Sequence, residues 1–198
     1  MRKRAELRKA EIVATVLNLA DRIGPDRVTT GAVASTIGVT QAALFRHFPT
    51  KAALWQAVAE HVAEGLAAAW ADALSHNDGP LVRLRALIGA QFAQIAATPA
   101  LPMLLFSREL NVGNDALRAA FRDLLMRFQA LITAELTRGQ DMDCLRRDLA
   151  PTDAAVLLIS LVQGMAIRWS LGARNFPLIE EGIRLVDVQL RLLAGNGE

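Results

Sequence analysis

The chain has 198 residues, room for one large domain or for a small one joined to a larger one. It is 53% hydrophobic and only 5% aromatic, lacks tyrosine and is rich in Ala and Leu, which favours helices over sheet. The formal net charge is +2, and the single Cys144 excludes an internal disulfide framework and suits a reducing cytosol.

The charge is unevenly spread. The first 55 residues carry nine Lys/Arg against four carboxylates, a net of +5, and the remainder carries 13 basic and 16 acidic residues, a net of −3. A basic end on an otherwise acidic chain points to a polyanion as partner, although a membrane surface or simple solvation has the same signature. Arg2, Lys3 and Arg4 form a short basic arm, expected to lack order without a partner. The first helix is predicted from about Glu6 to Arg22, with Ile12, Val16, Leu19, Ala20 and Ile23 as its apolar stripe, ended by Gly24-Pro25. No signal-peptide pattern of a separate apolar region and a small-residue cleavage site follows the basic start.

The stretch Thr29 to Lys51, TTGAVASTIGVTQAALFRHFPTK, reads as a helix, a tight turn and a second short helix. Thr30 is the predicted N-cap of the first, and Ala32, Val33, Ala34 and Ile37 give it an apolar face. Gly38 stands where a left-handed C-cap is wanted. Thr40 can cap the second helix, predicted from Gln41 to His47, in which Leu44 and Phe48 point inward together. The opposite face carries Thr40, Gln41, Phe45 and His47, with Lys51 just beyond, and holds no carboxylate. A short-turn helix pair with such a face fits a DNA-reading helix-turn-helix.

From about Arg8 to Leu54, and most specifically in L-F-R-H-F-P-T-K, the sequence resembles the DNA-binding region of TetR-type transcriptional regulators. The resemblance implies DNA contacts at Thr30, Thr40, Gln41, Ala42, Phe45, His47 and Lys51. Hydroxyls and free N–H groups at helix starts can meet phosphate at Thr30 and Thr40, Lys51 supplies a point charge, and His47 can donate. Gln41 and Ala42 lie early in the reading helix, where Gln can pair with adenine and Ala can touch a thymine methyl. Arg46 lies beside this face. For each residue alone, capping or a solvated surface is the plainer reading. The family most often has tyrosine where this chain has Phe45, so a hydroxyl contact is missing here, and Gln41 and Ala42 do not spell out an operator.

Beyond Pro49-Thr50, a long helix is predicted from Lys51 to about Ser75, with Leu54, Trp55, Val58, Val62 and Leu66 on one side. His61 and His76 have no second ligand at i+3 or i+4, so no metal is expected. Asn77-Asp78-Gly79-Pro80 is a turn, followed by a helix at about Leu81–Ala97, a short segment around Met103–Leu110, a break near Val112-Gly113, and a long helix from Asn114 or Asp115 to about Arg138. The stripe of the last is Leu117, Phe121, Leu124, Leu125, Phe128, Leu131, Ile132 and Leu136, and the polar segment from Gly139 to Asp148 leads onward. The longest uncharged run, Ala86 to Ser107, is broken by Pro99 and Pro102, and the next, Ala154 to Ile167, is read as too short to span a bilayer. The helix that Pro151 opens is apolar nearly all round, and the last, about Pro177 to Leu193, shows Ile179, Ile183, Val186, Leu190 and Leu193 with a second set, Leu185 and Leu192. Such wide faces suggest a homodimer through a four-helix interface, as the resemblance also implies; burial within one subunit is the alternative.

The resemblance further implies a ligand pocket in the C-terminal bundle, with Trp70, Phe92, Met103, Phe106, Phe128, Gln163 and Trp169 as candidate walls and Gln163 or Arg168 able to orient a polar group. Aromatic and Met side chains at helical spacing are also ordinary core. An apolar wall with few polar groups suits a hydrophobic effector. No GxSxG, HExxH, P-loop or Glu-x-x-His pair occurs, so no catalytic residue, cofactor or metal is assigned and no enzyme is expected.

The expected fold is all-α: a three-helix helix-turn-helix DNA-binding domain at residues 1–50 on a larger helical ligand-binding and dimerisation domain at 51–198. The expected function is a cytoplasmic, sequence-specific, homodimeric DNA-binding regulator, a repressor released from its double-stranded operator by a small hydrophobic ligand. The alternatives are a DNA-bound architectural or division-control protein that recruits a protein partner, and a helical carrier with a vestigial motif. Neither the effector nor the operator can be read from these residues.

Overall fold

A computed structural model describes residues 2–76 and 78–194, without the side chains of Arg2, Lys3, Arg4 and Glu109; Asn77, the first residue of the predicted turn, lies outside the described residues. Ten helices occur among the described residues: α1 (Arg2–Ile23), α2 (Thr30–Thr36), α3 (Gln41–Phe45), α4 (Lys51–Ala73), α5 (Pro80–Ala97), α6 (Leu101–Phe106), α7 (Arg108–Val112), α8 (Asp115–Asp141), α9 (Pro151–Leu171) and α10 (Leu178–Leu193). A single 3-10 turn, Pro25–Arg27, follows α1. The described residues contain no strand, only an isolated bridge between Leu145 and Ala194.

Three expectations are corrected here. The arm at Arg2 to Arg4 is helical in its backbone and α1 starts four residues before Glu6, because Arg, Lys, Ala, Glu and Leu in succession are good helix formers with no breaker among them. The reading helix stops at Phe45 rather than His47, since the amides of His47 and Phe48 both turn back to the Leu44 carbonyl at 2.9 and 3.0 Å. The apolar run from Ala154 to Ile167 sits inside a 21-residue helix that is long and apolar enough to cross a membrane by length and composition. Its buried side nevertheless holds Ala154, Ala155, Leu158, Ile159, Val162, Met165, Ala166 and Trp169, as expected of a core helix, and it packs on α5 and α10.

By compactness the chain forms two units, one of residues up to Glu64 with Thr98–Arg122, the other of Gly65–Ala97 with residues from Asp123 on. The breaks between them fall inside α4, after α5 and inside α8. In the first unit Ile12, Val16 and Ala20 of α1 meet Val33, Leu44, Phe48, Trp55 and Val58, and the core is completed by Ala100, Leu104, Leu110, Leu117 and Phe121. α6 packs on α1, and α7 on the 3-10 turn. There Ser107 Oγ donates to Asp26 Oδ1 at 2.5 Å and accepts from the Leu110 amide at 3.0 Å, starting α7.

In the second unit α10 packs on α5 and α9 with Leu178, Gly182, Val186, Leu190 and Leu193 inward. Ile179, expected in that stripe, is 43% exposed; the buried register starts one residue earlier, at Leu178. Trp70 stacks on Phe128 at 5.0 Å between centroids, and its Nε1 donates to Gln91 Oε1 at 2.9 Å, which satisfies both buried polar groups. Arg83 forks onto the two oxygens of buried Glu135 at 3.0 Å each and donates to the carbonyls of Leu74 and His76, closing the end of α4.

Gly182 of α10 leaves room for Phe92 of α5: a Cβ there would stand 2.5 Å from the Phe92 ring. Gly182→Ala is therefore expected to destabilise the protein by about 1–3 kcal/mol in denaturant melts, through overpacking. Adding Phe92→Leu to it is expected to recover part of that loss, because the ring is what the new methyl meets.

Candidate nucleic-acid interface

The α2–α3 unit is built from chain-local rules. Thr29, not Thr30, is the N-cap of α2: its backbone is extended and its hydroxyl accepts from the Ala32 amide at 3.1 Å. Thr30 is the first helical residue, so its hydroxyl is left for other partners. At the far end Gly38 adopts φ +68°, and the Gly38 and Val39 amides bond the carbonyls of Ser35 and Ala34 at 3.2 and 3.0 Å. This is the paired C-cap that reverses the chain, and its left-handed residue has no Cβ to strain it. Thr40 then caps α3 by accepting from the Ala43 amide at 3.2 Å, and Thr50 caps α4 by accepting from Ala53 at 3.0 Å.

Leu44 at 0% and Phe48 at 5% exposure anchor this pair in the core. The residues between them face away. Thr40, Gln41, Ala42, Phe45, Arg46 and Lys51 are exposed, while Thr30 and His47 are half-buried. Phe45 is 37% exposed, so its ring is not core. From Thr29 to Lys51 no carboxylate occurs. The face therefore offers hydroxyls, an amide, an imidazole, a guanidinium and an ammonium around one aromatic ring, with no negative charge of its own to oppose a phosphate. Gln41 Nε2 donates to Thr30 Oγ1 at 2.6 Å, a pairing between residues 11 apart that sequence reasoning missed. Thr29 was also missed as a cap; two adjacent threonines give the same N-cap signal one residue out of step.

The candidate ligand residues are divided. Trp70, Phe92 and Phe128 are buried in the second unit, as is Trp169, with the Arg174 guanidinium 5.4 Å from its ring centroid. Gln163 is half-buried in the same unit. Met103 and Phe106 belong to the first unit, where they are 37% and 50% exposed. Gln91, the partner of Trp70, was not among the residues singled out, although a buried indole N–H calls for an acceptor. A cleft of about 240 Å³ lies elsewhere, lined by Met165, Arg168, Phe176, Glu181, Arg184 and Leu185 on and between α9 and α10; of the residues considered for the ligand it contains only Arg168.

Known proteins resemble the chain along nearly its whole length. The family model of bacterial regulatory proteins of the tetR family matches residues 12–58, and that of the C-terminal region of the BetI-type transcriptional repressor matches residues 80–194. Nucleoid occlusion factor SlmA from Vibrio vulnificus is 28% identical over 123 residues, 62% of this chain; the chain spans 63% of that relative's length. The factor of the same name from Marinobacter nauticus is 26% identical over 162 residues, 82% of this chain and 83% of the relative. Among solved structures, a putative transcriptional regulator from Saccharomonospora viridis in complex with choline superimposes with a TM-score of 0.84 at 18% identity, covering 96% of this chain and 100% of the other. The ketosteroid transcriptional regulator KstR2 of Mycobacterium tuberculosis gives 0.80 at 17% identity, with 96% of each chain covered. At such identities the structures speak to the fold alone, an N-terminal helix-turn-helix followed by a helical C-terminal region. With one family model matched at each end, the C-terminal one over more than half of the chain, the chain belongs to the TetR family of bacterial regulatory proteins and has a BetI-type C-terminal region.

Proposed function

We propose that the chain is a repressor that binds a double-stranded operator as a homodimer and is released by a small hydrophobic ligand. The observation that supports the DNA-reading role most directly is the solvent-facing, carboxylate-free side of α3 and its flanks. On this reading Thr30, Thr40, His47 and Lys51 take phosphate, Gln41 and Ala42 meet base edges, and Phe45 packs on the sugar-phosphate edge; all are exposed or half-buried. We divide the roles near residue 50, with reading before it and effector binding and dimerisation after it. For an uncharged or weakly polar effector we assign Trp70, Phe92, Phe128 and Trp169, with Gln163, as an apolar aromatic wall within the second unit; Met103 and Phe106, in the first unit, are separate candidates. The work is binding rather than catalysis, in the cytoplasm.

Support for the homodimer comes from the last two helices. On α9 Val156, Leu157 and Leu171 are 48%, 56% and 83% exposed, and on α10 Ile179, Val188 and Leu192 are 43%, 37% and 64% exposed. Apolar residues this exposed on two adjacent, packed helices are what an isologous contact would cover. A ligand that favours a dimer with wrongly spaced reading helices would then lower operator affinity. The similarity to nucleoid occlusion factors supports a second reading, a DNA-bound division-control protein that recruits a protein partner. Thermal shifts with a panel of hydrophobic small molecules separate the two: stabilisation by one such compound, together with its lowering of operator affinity, favours the repressor.

Phe45→Tyr is expected to leave the melting temperature unchanged, because the ring lies at the surface. It is expected to tighten operator and non-specific DNA alike by about 0.5–1.5 kcal/mol per subunit, the net worth of one added hydrogen bond. Phe45→Ala is expected to weaken both. DNA titrations beside melts read this; a tyrosine variant that melts lower and binds more weakly would remove Phe45 from the interface.

For the dimer, sedimentation at micromolar concentration is expected to show two copies of the wild type. Leu157→Lys and Leu192→Glu are expected to give monomers that melt as cooperatively as the parent but lose operator binding. A monomeric wild type would sink the model of two linked half-sites.

A further inference from the structure

Gln41 opens α3 with an exposed side chain, yet its amide is tethered. Nε2 donates to Thr30 Oγ1 at 2.6 Å, bridging from the start of α3 to the start of α2. Thr30 can serve this bond because the cap of α2 is made by its neighbour: Thr29 Oγ1 already accepts from the Ala32 amide. Likewise, the hydroxyl oxygen of Thr40, adjacent to Gln41, is used on the Ala43 amide. The tether is thus a contact over and above those that the two helices need in order to start.

We propose that Thr30 is a positioning residue that holds the Gln41 carboxamide so that it reads adenine and rejects guanine in the major groove. This rests on the reading that α3 faces DNA, and deepens it. A glutamine amide has two N–H donors on one nitrogen and a carbonyl that accepts. With one N–H held by Thr30, the group presents one donor and one acceptor. Adenine offers the complement of that pair, the N7 acceptor and the N6 amino donor, whereas guanine offers two acceptors, N7 and O6. An untethered glutamine can turn both of its N–H groups to guanine. The tethered amide cannot, and its carbonyl would face O6 with no proton between them. The tether also fixes a long side chain before DNA arrives, which lowers the ordering cost of the contact. The Thr30 hydroxyl keeps its own proton for a phosphate oxygen, and that contact carries no base preference. Base identity therefore separates the two roles that one hydroxyl can have.

The experiment is enrichment of duplexes from a randomised DNA pool by the full chain and its variants, with melts of each. Wild type is expected to enrich a site in which one position is adenine, and Gln41→Ala to lose the preference at that position alone, which assigns it. Thr30→Val keeps the β-branched shape and leaves the Thr29 cap in place. It is expected to lower the adenine-over-guanine ratio at that position by about tenfold, the lower part of the range for one bidentate base contact. Thr30→Ser is expected to keep the ratio, and Thr30→Ala gives the same comparison if valine lowers the melt. Guanine at the Gln41 position in the wild-type site overturns the proposal. So does a Thr30→Val protein that weakens by one factor on every sequence with the base ratio unchanged. A wild type that enriches no sequence overturns the DNA-reading proposal beneath it, whereas enrichment without adenine at that position overturns this one alone.

Discussion

Two helices of seven and five residues cannot hold themselves in water, because so short a segment does not recover the cost of nucleation. The reading unit depends on what is added to α2 and α3: a threonine cap at the start of each, a glycine at positive φ between them, and the burial of Leu44 and Phe48. Each cap contributes about 1 kcal/mol, so no one of them decides the fold. Burial of Leu44 and Phe48 sets which way the helix faces. With those two held inward, Gln41, Ala42 and Phe45 have nowhere to go but out.

The second unit solves a different problem. Its apolar surface is abundant, and the polar groups inside it are the ones that need partners. The indole of Trp70 meets Gln91, and the carboxylate of Glu135 meets Arg83, which also takes two carbonyls at the end of α4. The Arg83 guanidinium is held even more firmly protonated than usual, chiefly by its hydrogen bond to Glu135. These pairs specify which helices lie side by side, since apolar contacts alone are non-directional. The apolar residues left outside on α9 and α10 are the counterpart: they have no polar demand, and burial is what they lack.

The capped helices α2 and α3 and the exposed side of α3 were largely legible because their signals are local. A T-T pair, a glycine eight to nine residues on, a further threonine and the Leu44/Phe48 spacing prescribe two capped helices and a buried side without reference to anything distant. The ligand candidates were much less so. Aromatic and Met residues at helical spacing are selected equally by a core and by a pocket, and Met103 and Phe106 turn out to be exposed members of a different compact unit from Trp70, Phe92 and Phe128. The first unit itself draws Ala100, Leu104, Leu110, Leu117 and Phe121 from far down the chain, which no division by sequence position anticipates.

The sequence by itself determined the all-helical class, nearly every helix break, the turn at Gly38 and the outward face of α3, because capping, φ preference and apolar periodicity act within a few residues. Only the tertiary structure decided the one-residue register of the cap at Thr29, the tether from Gln41 to Thr30, the fork of Arg83 on Glu135 some 52 residues away, and the approach of Gly182 to Phe92. It also decided which sides of α9 and α10 stay uncovered. The cap is local but one of two equivalent threonines could make it; the rest are contacts between residues far apart along the chain. Their partners are chosen by how helices pack, and periodicity tells each helix only that it has an apolar side, never what will lie against it.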